Sequence, residues 1–292
     1  MGDPETWKLV LWVAKMIWKI ISYDDSIFTK RLQQMLGIEV CREPEGKFDG
    51  LFFFSMNPRH QYLAAGYQQT PKICYWTGSD GRQFLGDGKA IDNFGLALHA
   101  TDSPLLVMKL SIKLPTPCFI PFPPYLPKSE IKIEGPPGIL MYVAECEAQD
   151  VGRSKAFINE IRDIPIYVLH GRGKKAIFSY DNIVSLDWIE DDDKEEIFKK
   201  VSVFVRLMNF DGLSQTVVEM KSLGRHVFYT GFAPYCHQIQ ESDSPSRIAE
   251  NVRSIINAPL DIEAAKWYRK VFSVENFRKI TGKLCQTKGW DF

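Results

Sequence analysis

Short apolar runs alternate with longer stretches in which hydrophobic residues recur every three or four positions. Residues 48–54, 72–76, 138–143, 166–169 and 202–206 are apolar on both faces of an extended chain. Such strands suit the interior of a parallel sheet rather than a half-solvated one. Residues 26–36, 59–69, 154–162, 194–201 and 214–223 carry helical spacing. Ser22, Tyr23, Asp24 and Asp25 precede the first of these as a start signal, and Gly37 and Gly224 stand where helices stop. Weaker signals predict short strands at 38–41, 183–186 and 226–229, a helix at 90–99 and an extended segment at 105–109. Thr77, Gly78, Ser79, Asp80 and Gly81 read as the turn after strand 72–76. Strands alternating with helices predict an α/β protein with mainly parallel sheets.

Eight prolines fall between Pro115 and Pro137, at 115, 117, 121, 123, 124, 127, 136 and 137. Proline continues no helix and donates nothing to a sheet ladder, so the stretch reads as a connection. The strand–helix pattern restarts at Gly138. Two doubly wound, Rossmann-like domains facing a cleft follow, with an N-terminal domain at 1–125, a linker at 126–137 and a second domain at 138–260.

Length fits this division, since 292 residues is about twice a typical domain. The 36 basic and 36 acidic residues cancel, which removes a general argument for nucleic-acid binding. The six cysteines are scattered without CxxC or metal-ligand spacing and read as reduced thiols of a cytoplasmic protein. Residues 7–21 are apolar apart from Lys8, Lys15 and Lys19, too few for the ~20 that span a bilayer. The preferred reading is a buried strand at 8–13 followed by a loop. The alternative is a surface helix with its three lysines on one stripe, suited to a membrane face.

In an open parallel sheet, ligands bind beyond the carboxyl ends of the strands. The strongest candidate runs from strand 202–206 through Asp211 and Gly212 into a helix opened by Ser214, Gln215 and Thr216. Free amides at such a helix start hold anions, and the two hydroxyls add donors. Glu219 lies in the first turns of that helix, where a carboxylate can accept from ribose hydroxyls. The acidic run Asp191, Asp192 and Asp193 favours the positive end of helix 194–201, and a metal site there is the lesser reading.

The segment from Asp211 through Gly212, Leu213, Ser214, Gln215 and Thr216 to Glu219, with Gly224 at the helix end and strand 226–229 after it, resembles the donor-site signature of retaining GT-B glycosyltransferases, especially glycosyltransferase family 4. Seven residues separate the two acidic positions. The resemblance extends over about 138–258 and more loosely over the first half. It implies that Glu219 binds the donor ribose, that the amides near Ser214 and Thr216 face the diphosphate, and that Asp211 and the Gly212 loop face the transferred sugar. The family has Glu where Asp211 stands. Its basic pair is in register with Arg153 and Lys155, while Glu145, Cys146 and Glu147 stand where it has an arginine. Gly171 and Gly173 match its glycine turn near the nucleotide base, with a plain tight turn as the alternative. The resemblance further implies a metal-independent reaction with no cofactor beyond the nucleotide-sugar substrate, and C-terminal helices at 261–292 that cross back onto the first domain.

On the acceptor side, Trp76, Thr77, Gly78 and Ser79 end a strand facing the expected cleft. Asp80 is placed to hold an acceptor or sugar hydroxyl, or else to cap the next segment. His170 and His237 read as structural. The sequence therefore predicts a transferase that moves a sugar from a nucleotide-diphosphate donor to a glycan, lipid-linked or protein acceptor. The alternatives are a catalytically weakened GT-B scaffold or sugar-binding subunit, and a sugar-nucleotide epimerase. Lys266, Arg269, Lys270, Arg278, Lys279, Lys283 and Lys288 interleave with aromatic residues near the C-terminus. That pattern reads as interdomain packing first and as peripheral contact with anionic lipid second.

Overall fold

The computed structural model describes residues 17–22, 27–86, 93–126, 132–143, 150–170, 178–187, 189, 191–209, 212–290 and 292. They fall into two compact units, one within Met1–Pro123 together with Ser273–Phe292, the other Pro124–Phe272. The expected strand at 8–13 lies outside the described residues.

In the first unit six parallel strands are β1 (Trp18–Ile21), β2 (Glu39–Cys41), β3 (Gly50–Phe54), β4 (Lys72–Trp76), β5 (Ala97–Thr101) and β6 (Cys118–Phe119), ordered β2-β1-β3-β4-β5-β6. Helices α1 (Ile27–Leu36), α2 (Pro58–Gly66), α3 (Gly78–Gly86) and α4 (Pro104–Leu110) connect them. Alternation along the strands sends Ile20, Phe52, Phe54, Ile73 and Tyr75 to one face and Ile21, Leu51, Phe53, Cys74 and Trp76 to the other. Both faces are covered, which accounts for strands that are apolar throughout.

In the second unit the strands are β7 (Gly138–Tyr142), β8 (Ile166–Leu169), β9 (Ile183–Leu186), β10 (Val201–Arg206), β11 (His226–Tyr229) and β12 (His237–Gln238). Their order, β12-β11-β10-β7-β8-β9, is all parallel and is the doubly wound 3-2-1-4-5-6 arrangement. The helices are α5 (Val151–Glu160), α6 (Lys194–Phe198), α7 (Gln215–Ser222), α8 (Pro245–Ile255) and α9 (Ile262–Val271). Helix α10 (Val274–Thr287) returns to the first unit. There Phe277 and Cys285 enter the core beside Leu32 and Met35 of α1, and Arg278 Nε donates to the Met35 carbonyl over 2.7 Å.

The sequence sends all of 261–292 to the first domain, but α9 stays in the second unit. Tyr268 Oη donates to the Pro234 carbonyl over 2.8 Å and Arg269 Nε to the Ser222 carbonyl over 2.7 Å. At the start of α9, Asp261 caps the Ala264 amide and takes the buried Lys221 ammonium at 3.0 Å.

Four local expectations are overturned. The loop expected after 8–13 contains β1, whose residues are all buried. Part of the helix expected at 90–99 is β5, because Ala97–Thr101 is inserted between β4 and β6, where ladder pairing outweighs the helical preference of Ala and Leu. The segment expected as extended at 105–109 is α4, with Ser103 accepting from the Leu106 amide and Pro104 in the first turn. The turn expected at 77–81 opens α3. Gly81 packs closely there, since a Cβ would lie 2.6 Å from the Leu106 side chain and would force it to shift. Among the described residues no helix is long and apolar enough to cross a membrane.

Candidate nucleotide-sugar site

The second sheet reverses its winding between β7 and β10, and a crevice forms outside the carboxyl ends of the strands at such a point. Three segments meet at this edge. The Asp150 amide donates to the Leu207 carbonyl over 3.3 Å, which fixes the start of α5 beside the end of β10. Thr230 Oγ1, just after β11, accepts from the Met208 amide over 2.9 Å and donates to the Met208 carbonyl over 3.1 Å. Tyr229 Oη donates to the Gly212 carbonyl over 2.5 Å, pinning the loop that leads into α7.

Ser214 is the N-cap of α7 with extended backbone (φ −68°, ψ 132°), and its hydroxyl makes no capping bond. Ser214 therefore supplies no capping oxygen to the amides at the α7 start, and amides at a helix start are the donors an anion uses. Leu213 packs partly against the core that holds Val217 and Met220, so the loop is anchored on one side.

Glu219 lies one turn further along α7 and is buried. Its Oε1 takes the Lys194 ammonium at 2.7 Å, and the same ammonium reaches Asp191 Oδ1 at 3.0 Å. Lys194 also lies over the Tyr125 ring, 5.6 Å from its centroid. The sequence singles out Glu219 as a candidate and carries no prediction for its partner, Lys194. The acidic run before α6 was its visible sign, since Asp191 makes its ion pair at (i, i+3). Among the described residues no group of three or more His, Cys, Asp or Glu is arranged to hold a metal.

A second group unforeseen from sequence is Arg206, at the carboxyl end of β10. Its guanidinium lies 5.3 Å from the centroid of Tyr142, at the carboxyl end of β7, so a cation sits at the switch point itself. Arg153 has one arm of its guanidinium engaged by backbone carbonyls. Its Nη2 donates to the carbonyls of Gln240 and Asp243 over 2.7 and 2.6 Å, tying α5 to the loop before α8. Lys155, two residues on, is exposed. His170 shares a 2.7 Å hydrogen bond with Ser185, and His237 stacks on Phe228 at 4.7 Å. Asp211, Gly171 and Gly173 lie outside the described residues.

On the expected acceptor side, Trp76 is a core residue rather than a wall of a site. It is fully buried in β4, its indole N–H donates to His99 Nδ1 over 3.1 Å, and its ring packs against Phe84 and Phe94. The cause is β4's position inside a sheet covered on both faces. Thr77 precedes α3, and Gly78, Ser79 and Asp80 form that helix's first turn.

No protein-family profile matches the chain, and no curated protein matches it in sequence. Its fold does match solved structures. HepE from Anabaena, solved with UDP and glucose, aligns with a TM-score of 0.66 at 9% identity, covering 93% of this chain and 100% of that one. WaaG, a glycosyltransferase involved in lipopolysaccharide biosynthesis, gives 0.62 at 11% identity, covering 91% and 100%. A sucrose-phosphate synthase from Thermosynechococcus elongatus gives 0.60 at 12% identity, covering 89% and 76%. The architecture is the two-domain α/β fold of GT-B glycosyltransferases, built from two parallel six-stranded sheets with interleaved helices.

Proposed function

We propose that this protein transfers a sugar from a nucleotide-diphosphate donor to a hydroxyl acceptor, with retention at the anomeric carbon. The observation that carries the reading is the α7 start. Amides without a capping hydroxyl lie at the β7–β10 switch point, with an acidic side chain, Glu219, one turn behind them. A similar fold in HepE was solved with UDP-glucose, which makes that donor the first to test.

In this reading the α7 amides and hydroxyls receive the diphosphate, and Glu219 accepts from the ribose diol. Asp211 and the Gly212 loop face the transferred sugar. Negative charge develops on the diphosphate as the glycosidic bond breaks. Fixed amide dipoles, with Arg206 and Lys155 as the nearby cations, stabilise that charge more in the transition state than in the ground state. Those groups take the place of a metal ion, and the scheme uses no cofactor. Retention follows if the acceptor attacks from the face that the diphosphate leaves.

A catalytically weakened scaffold is the second reading. It is favoured by Arg153, whose Nη2 is held by the Gln240 and Asp243 carbonyls, which turns that arm of the guanidinium to a structural task. Incubation with a panel of nucleotide-sugars, including UDP-glucose, separates the two by the release of free nucleoside diphosphate. A transferase releases it faster when a saccharide acceptor is added, and a scaffold binds donor and releases none.

A further inference from the structure

A cavity of about 320 Å³ opens between α8 and the β12 edge of the second sheet. That volume is at the lower end of the roughly 300–1,000 Å³ of small-molecule sites. Its wall comes from one unbroken stretch of described residues, 228–255. On the sheet side His237 and Ile239 share a face by alternation, and the His237 ring stacks on Phe228 with centroids 4.7 Å apart and planes at 21°. On the helix side Ile248, Asn251 and Ile255 recur at three and four residues and so form one stripe. Phe228, Ile239, Ile248 and Ile255 belong to or pack on the core of this unit, so the floor is apolar.

The polar groups of the wall differ in what they already hold. Gln238 Nε2 donates to the Thr230 carbonyl over 3.2 Å, Ser254 Oγ donates to the Asn251 carbonyl over 2.7 Å, and Asp243 Oδ2 accepts from the Gln240 amide over 2.8 Å. The His237 ring and the Asn251 side-chain amide make no hydrogen bond among the described residues. Partial burial, with the His226 ring and the Lys221 ammonium nearby, lowers the His237 pKa below 6.5 against an opposing pull from Asp261. Its imidazole is therefore neutral at pH 7, with one donor and one acceptor.

An amide and a neutral imidazole both set a donor beside an acceptor in a plane. A nucleobase edge answers that pattern, as when Asn donates to N7 of adenine and accepts from its N6 amino group. Every base also has a face that stacks on aromatic rings. Phosphate is unsuited to this wall. Among the described residues no cation lines it, and its one ionised group, Asp243, is already met by the largely exposed Arg247 at 3.6 Å.

We propose that this cavity binds an uncharged purine base or its nucleoside, with His237 and Asn251 reading the base. It shares no residue with the candidate site at α7, and it stands whether or not the transferase reading does.

Ligand-observed NMR titration of the full chain with adenine, adenosine, guanosine and adenosine monophosphate tests it. His237→Phe keeps a ring on Phe228 and removes both nitrogens, and Asn251→Ala removes the amide from a good helix position. Both residues are exposed, so the variants should melt as the parent does. Adenosine is expected to bind, each substitution to weaken it tenfold or more, Glu219→Gln to leave it unchanged, and the monophosphate to bind more weakly. The site is overturned if no purine or nucleoside binds, if the monophosphate binds more tightly, or if affinity survives both substitutions. Binding lost only in Glu219→Gln would put the nucleoside at α7 and overturn the inference as well.

Discussion

The Lys194 ammonium lies 2.7 Å from Glu219 Oε1, joining the helix before β10 to the helix after it. Glu219 is 2% exposed and Lys194 about one-fifth exposed, so the pair is shielded from water on the carboxylate side. One contact thereby fixes the direction in which the proposed ribose-binding carboxylate points.

Removing one member of a buried pair leaves the other undercompensated, at a cost of roughly 3–5 kcal/mol. Lys194→Met should cost about 3 kcal/mol, the lower end of that range, because the ammonium retains some solvent. Lys194→Met combined with Glu219→Gln should cost less than the two changes summed, since the double variant removes the buried Glu219 charge together with its partner and leaves only the more exposed Asp191 without that ammonium. Chemical denaturation of all four proteins measures this, and strict additivity would show that the pair is not coupled.

Histidine 99 gives the first unit a defined acid sensitivity. Burial, reinforced by the Lys72 ammonium, lowers its pKa from 6.5 to about 4. The unfolded chain therefore binds a proton that the folded chain refuses between those values. This contribution to stability is complete above pH 6.5 and is lost as pH falls from there towards 4. The expected slope approaches 1.4 kcal/mol per pH unit for one proton. His99→Gln keeps an acceptor for the Trp76 indole and removes the titration. Its stability should fall less steeply over that range, and an unchanged slope would place the proton uptake elsewhere.

Helix α10 is a structural part of the first unit, because Phe277 is fully buried against Tyr75 and Phe122. Phe277→Ala should destabilise that unit by roughly 3–5 kcal/mol. In scanning calorimetry the first unit's transition should move down while the second unit's stays in place. A shift confined to the second unit's transition would contradict this assignment.

Much of this architecture is readable from residue patterns, and the exceptions have physical causes. In the second unit the strands 166–169, 183–186 and 226–229 fall where the sequence predicts them, the first and last because their runs pack into the core and the second as a half-exposed edge strand. In the first unit β5 and α4 are interchanged in type relative to expectation. For β5, ladder pairing with both neighbours decides the conformation, and no local pattern reports it. For α4, the Ser103–Pro104 start was a legible signal that the short apolar run obscured. Around the candidate site, the acidic spacing nominates Glu219, but the positions of Lys194, Arg206 and the Arg153 carbonyl contacts depend on which strands become neighbours. The same holds for Trp76, whose residue type suits a sugar platform and whose strand is enclosed on both faces.

Asp211→Asn separates sugar transfer from nucleotide binding. The substitution keeps size and removes charge, so nucleoside diphosphate affinity should match the parent while release of diphosphate from the intact donor falls by tenfold or more. Equal loss in both measurements would place Asp211 against the nucleotide instead of the sugar.

The central claim is that the α7 start and Glu219 form a nucleotide site. Isothermal titration calorimetry of the parent and Glu219→Gln with uridine, adenosine and guanosine diphosphates tests it most directly. A hydrogen bond to a charged group contributes roughly 1.5–3 kcal/mol, so the preferred diphosphate should bind the variant about ten- to a hundredfold more weakly. Equal affinity in the two proteins, or no binding of any of the three diphosphates to the parent, would contradict it.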